Sequence, residues 1–197
     1  MPLHVPSAPA PALNSIRTAL GSPTAVRTPL LGSLDGPFEL ELPLPVHVLD
    51  DITAPDGPPR ARLTGWRFLI RDGERTVASA EAMLTADGWV FSHFSEGPYV
   101  SSAELALSQA ESLSSTEDRG YQPRLLSIPE LYMLTLWLRG DPDADAEEGH
   151  LAAADLLVPL TPAPPGIAAH RAHRAADLLP VLTLRLTRTP PLLGSSA

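Results

Sequence analysis

From residue 38 to residue 49 apolar side chains recur at every second position. Phe38, Leu40, Leu42, Leu44, Val46 and Val48 share one parity, and Glu39, Glu41, Pro43, Pro45 and His47 take the other. That period of two belongs to a β-strand with one buried face. Pro43 and Pro45 each withhold a ladder donor, so the pattern predicts an edge strand or one that leaves the sheet partway. Three further apolar segments, 63–71, 76–84 and 89–94, are separated by Asp72-Gly73 and Asp87-Gly88. Asp-Gly between such segments predicts type I′ hairpin turns, whose two central residues both need positive φ. The product is a three-stranded antiparallel meander.

Ser101-Ser102-Ala103-Glu104 has the form of a capping box, which satisfies amides left open at a helix start. The helix it predicts runs to about Leu113, with Ala103, Ala106, Leu107, Ala110 and Leu113 on one face. Residues 124–139, interrupted by Pro129, contain the run Leu131-Tyr132-Met133-Leu134-Thr135-Leu136-Trp137-Leu138, apolar at both parities. A central strand covered on both faces has this pattern, and periodicity alone leaves a buried helix open. Residues 155–160 supply an antiparallel partner, joined by an acidic loop over 140–154 that holds a short helix near 147–153. An amphipathic helix over 167–179 and a last strand over 181–186 complete the expectation. The fold class is α+β: a mainly antiparallel sheet, meander plus hairpin, with one or two helices on one face.

Composition refines this picture by position. The chain has 197 residues, enough for one sizeable core. Of its 23 prolines, only Pro98, Pro123, Pro129 and Pro142 fall between residues 61 and 158. Residues 1–36, rich in proline and alanine, therefore read as a disordered tail, 37–188 as a single α+β domain, and 189–197 as a disordered C-terminus. The TPAPPG segment at 161–166 reads as a stiff extended connector. The first 36 residues show no signal-peptide pattern, and the run 131–138 is far shorter than the ~20 residues that cross a bilayer. A cytoplasmic location is the expectation.

Charge narrows the partners. Every one of the 14 basic residues is arginine, as GC-rich codon usage produces, and the net charge is −9. Residues 141–155 carry six carboxylates and no arginine. A chain that repels phosphate and lacks a basic stripe is a poor match for nucleic acid. With no cysteine, disulfides, thiolate metal sites and thiol nucleophiles are excluded.

Candidate chemistry is sparse. Asp141, Asp143 and Asp145 alternate as in a calcium loop, but the sixth and twelfth positions, which need glycine and glutamate, hold Ala146 and Ala152. A solvated acidic loop is the reading that remains. His170 and His173 share a face of the helix expected over 167–179, yet Arg171 and Arg174 flank them and no third ligand stands nearby. No metal, no cofactor and no catalytic residue is assigned. His93 precedes Glu96-Gly97-Pro98-Tyr99 at a strand-to-helix junction. A carboxylate beside an imidazole suits proton transfer, whereas Glu96 at the positive end of a proline-initiated helix is favourable without any chemistry. Trp66, Trp89 and Trp137 fall on expected strands, where core packing is their ordinary role. If helix and sheet enclose a cup, Trp66, Trp89, His93, Glu96, Tyr99 and Tyr132 are its ligand-binding candidates.

GWRFLI at 65–70, GWVFSHFSEGPYV at 88–100, RLLSIPELYMLTLWLRG at 124–140 and DLLVPLTPAPPG at 155–166 together resemble a group of uncharacterised bacterial proteins from high-GC genomes. That group has no established activity. The likeness covers roughly residues 38–166, implies a compact module with 124–160 as one strand-loop-strand unit, and transfers no catalytic residue. The function expected from these features is a non-enzymatic cytoplasmic partner-binding or adaptor protein that docks on a protein through its proline-rich tail, polyproline II being already extended. Two other classes fit: a cup-shaped small-molecule-binding or enzymatic domain, and a structural subunit of a larger assembly. Neither nucleic acid nor a membrane is an expected partner.

Overall fold

The computed structural model describes residues 3–23, 29–33, 37–49, 60–117 and 120–187. Eight strands, β1 (Glu39–Leu49), β2 (Ala61–Asp72), β3 (Arg75–Thr85), β4 (Gly88–Ser95), β5 (Gln122–Ile128), β6 (Met133–Arg139), β7 (Leu156–Pro159) and β8 (His173–Arg174), form one sheet in the order β4-β3-β2-β1-β5-β6-β7-β8. Neighbours are antiparallel except β1 and β5, which run parallel where Val46, His47 and Val48 face Leu125, Leu126 and Ser127. The helices are α1 (Ala10–Gly21), the single turn α2 (Pro29–Gly32), α3 (Pro98–Glu117) and α4 (Ala175–Thr187). This is an α+β fold with a mainly antiparallel sheet, as the patterning predicts. No helix among the described residues is long and apolar enough to cross a membrane.

Helices cover both faces of the sheet, rather than one. On the first, Ala103, Ala106, Leu107 and Ala110 of α3 pack on Leu44, Val46, Leu69, Leu125, Leu134, Leu136 and Leu138. The opposite face has two clusters. Ala12, Ile16 and Ala19 of α1 meet Trp66, Phe68, Ile70, Ala78, Ala80 and Phe94, while Leu178 and Leu182 of α4 meet Leu126, Ile128, Trp137 and Leu157. Alternation along β2 makes the division visible: Trp66, Phe68 and Ile70 face α1, and Leu69 faces α3.

Several expectations are corrected. β1 is central, not an edge: Pro43 sits in a register shift between Glu41 and Leu44, next to Leu42 at φ 48°, and Pro45 is buried opposite Trp66. A bulge lets the proline skip the ladder, which is how a central strand tolerates it. The tail expected over 1–36 is ordered over residues 3–22. Ala12, Ile16 and Ala19 give α1 a buried stripe of mostly small residues, and the His4 amide donates to the Tyr121 carbonyl at 2.9 Å. The C-terminal residues 189–197 lie outside the described residues.

Both hairpins form at Asp-Gly, but neither is type I′. Gly73 (φ 58°) precedes Glu74 in the first two-residue loop, the II′ arrangement, while the second turns on Ala86 and Asp87 with Gly88 (φ 108°) as a bulge residue. α3 begins at Pro98, three residues before the expected capping box, and Glu104 instead accepts from Thr76 on β3 at 2.8 Å. The 124–139 stretch is two strands, β5 and β6, reversed by a turn of 3-10 helix at Pro129–Leu131. No helix forms near 147–153, and the TPAPPG connector makes turns instead of running extended. The helix expected over 167–179 begins only at Ala175 and absorbs the strand expected over 181–186. Leu178 and Leu182, four apart and buried, show the helical period.

Candidate groove and the buried cluster beneath the acidic loop

On the α3 face a groove of about 530 Å³ opens between two connections, the β4–α3 junction and the β5–β6 turn. Its floor is the polar parity of the meander: Arg67 on β2, Ser79 on β3, His93 and Ser95 on β4. Glu96, Tyr99 and Val100 make one wall, and Ser127, Pro129, Tyr132, Met133 and Leu134 the other. Arg67 is not an open cation, since Glu81 accepts from its Nε at 3.0 Å and from its Nη2 at 2.7 Å. His93 Nδ1 lies 2.9 Å from the neighbouring Ser92 hydroxyl.

Tyr132 dominates the rim. It follows the 3-10 turn in the left-handed region, φ 50°, with 89% of its surface exposed. The Tyr99 hydroxyl donates to its carbonyl at 3.2 Å and ties the walls together. An aromatic side chain held outward on a disfavoured backbone is a feature that packing alone does not require.

Of the six sequence candidates, His93, Glu96, Tyr99 and Tyr132 meet in this groove. Trp66 and Trp89 do not, because they occupy the other parity of the meander and pack toward α1. Arg67, Ser79, Ser95, Val100, Pro129 and Met133 were not anticipated; the polar parity of strands 63–71 and 76–84 is the signal that marks the floor. His170 and His173 do not share a helix. His170, at φ 58°, has Nε2 near the Ser102 hydroxyl (3.1 Å) and the Thr161 hydroxyl (3.2 Å), whereas His173 is on β8 opposite Leu157. Among the described residues no group of three metal-ligating side chains converges.

A second constellation lies on the opposite face, under the acidic loop. Arg124 of β5 is fully buried, its guanidinium 4.8 Å from the centre of the Trp137 ring. It donates to Gln122 Oε1 at 2.8 Å, to the Asp145 carbonyl at 2.7 Å and to the Glu148 carbonyl. Gln122 in turn donates to the carbonyls of Pro142 and Ala144, at 3.2 and 2.7 Å. Asp155 closes the loop's base, accepting from the Trp137 indole at 2.9 Å and from the amides of Gly140 and Ala152 at 3.1 and 3.0 Å. Arg139 reaches Asp155 and Glu148 at 3.4 and 3.5 Å. Gly149 lies so close to β2 that a Cβ would fall 1.5 Å from the Ala61 carbonyl oxygen, so only glycine fits. Asp141, Asp143 and Asp145 remain exposed, as a solvated loop requires, but the loop backbone is turned inward and pinned.

His47 of β1 completes this cluster, stacked edge-on against Trp137 with ring centres 5.3 Å apart. Neither nitrogen has a partner at standard hydrogen-bond geometry. Burial first, and the Arg124 charge second, push it from 6.5 down to about 4, opposed weakly by the backbone of Glu147, Pro45 and Ala146. Burial also pushes Arg124 down to about 10, helped by the Arg139 charge.

A histidine kept neutral in the fold but protonated when unfolded makes stability fall as pH drops below 6.5 and level off near 4. The lost stability is about 3 kcal/mol, at 1.36 kcal/mol per pH unit. Denaturant unfolding at a series of pH values across that window is expected to show the parent losing stability relative to the His47→Leu chain by that amount as pH falls. Parallel pH profiles would show that His47 does not titrate across this transition.

No family model, curated protein or solved structure matches the chain.

Proposed function

We propose that this chain is a partner-binding module whose groove, not an N-terminal tail, receives a short extended peptide rich in proline. The observation that carries this reading is the pairing of Tyr99 and Tyr132 across an open groove with Pro129, Met133 and Val100 beside them. Flat aromatic faces set beside apolar walls accept proline rings, and a polyproline II segment enters with little further ordering. The floor favours contact over chemistry, because its one guanidinium is already engaged by Glu81. Order over residues 3–22, with α1 packed on the sheet, removes much of the reason for assigning docking to the tail.

Titrating short labelled peptides with proline at every second or third position, against matched alanine peptides, tests the proposal. Backbone resonance shifts should centre on Tyr99, Val100, Tyr132 and Met133. Tyr132→Ala, at an exposed position, should weaken binding at least about tenfold, roughly 1.4 kcal/mol. Equal affinity of the variant, shifts on the α1 face, or no preference for proline would each reject the reading.

A further inference from the structure

The sheet has two margins. One is β8, two residues long and continuous with α4. The other is β4, eight residues reading Gly-Trp-Val-Phe-Ser-His-Phe-Ser, with no proline, arginine or carboxylate. Among the described residues no strand pairs with its outer side. Long edge strands are ordinarily blunted by prolines or charges. In this chain Pro43 and Pro45 lie in central β1 and protect nothing.

Exposed apolar side chains stand on both faces of the same margin. Met83 (42% exposed), Leu84 (48%) and Val90 (40%) are three of the seven large apolar side chains exposed among the described residues. All three lie on the β3–β4 hairpin, and Met83 and Val90 are register partners.

We infer that β4 pairs antiparallel with β4 of a second copy of this chain about a two-fold axis, continuing the sheet across both molecules. A two-fold axis sets a strand antiparallel to itself, so one free ladder edge supplies both halves of the pairing. A strand without formal charge meets itself without like-charge repulsion, and it offers a charged foreign strand no ion pair. None of the six carboxylates of residues 141–155 lies on this strand; the loop that carries most of them is tied to Gln122 and Arg124 of β5. Joining the edges also draws the Val90 and Met83 side chains of both copies toward the axis and out of water.

Sedimentation equilibrium of the full chain over a dilution series tests this. The parent is expected to show dimer mass that dissociates on dilution. Val90→Lys, at an exposed position outside the groove lining, sets two ammonium groups beside the axis and should raise the dimer dissociation constant at least tenfold with an unchanged far-ultraviolet spectrum. Leu105→Lys, equally exposed but on α3, should leave the dimer intact. A parent monomeric at every concentration overturns the inference, as does a dimer that survives Val90→Lys or that Leu105→Lys dissociates equally.

Discussion

Arg124→Met is expected to lower folding stability by about 3–5 kcal/mol, the range found when one member of a buried charged network is removed. Methionine matches the length of the stem but donates nothing. The Asp145 and Glu148 carbonyls and Gln122 Oε1 would lose their donor in a dry interior. His47 would lose the second of the two influences that depress it, so its titration should move back up from about 4. Denaturant unfolding measures the loss, and amide exchange across 141–149 should accelerate before exchange in β2 and β3 does. A loss below about 1 kcal/mol would mean that the guanidinium only fills space and does not hold the loop.

Asp155→Ala ranks second, at about 3 kcal/mol. Four donors converge on this one buried carboxylate: the Trp137 indole, two backbone amides and Arg139. Alanine orphans all of them and leaves Arg139 without its most buried counter-charge. Asp155→Asn keeps the shape and one acceptor, so it should cost roughly half as much. The Trp137 indole proton is a direct reporter, expected to move upfield and exchange faster in both variants. An unmoved indole resonance in Asp155→Ala would contradict the hydrogen bond on which this prediction rests.

The meander was legible because its signals are local: period-two apolar residues and Asp-Gly at the reversals. What lay beyond the sequence was set by distant partners. β5 opens with Gln122-Pro123-Arg124, whose polar side chains carry no local sign of burial; loop carbonyls some twenty residues later hold Gln122 and Arg124 in the interior. α1 hid behind prolines and small residues, because the stripe of Ala12, Ile16 and Ala19 carries little hydrophobic contrast of its own. In the groove, Tyr99 was legible because it stands at a strand-to-helix junction, whereas Tyr132, expected inside a covered strand over 131–138, is put at a hairpin tip by the 3-10 turn at Pro129–Leu131. Trp66 and Trp89 misled because size suggested a platform, whereas parity decides which face a strand residue serves. Trp66 shares its parity with Phe68 and Ile70 under α1, and Arg67, one residue on, faces the groove.

The parallel contact between β1 and β5 is a seam between two leaves. Within each leaf, strands adjacent in sequence are adjacent in space, so pairing is templated locally. Across the seam it is not: the chain leaves β4 at the far margin, runs through α3, and returns as β5 beside β1. Closing a loop of that span is the step with the largest separation between partners within the eight-stranded ladder, and it is the kind of contact that slows folding. The cluster formed by Ala106 and Leu107 of α3 with Leu69, Leu44, Leu125 and Leu136 spans both leaves. The helix that shapes one wall of the groove is thus also the buckle of the fold, and strain at Tyr99 or Val100 is carried directly to the place where the two leaves join.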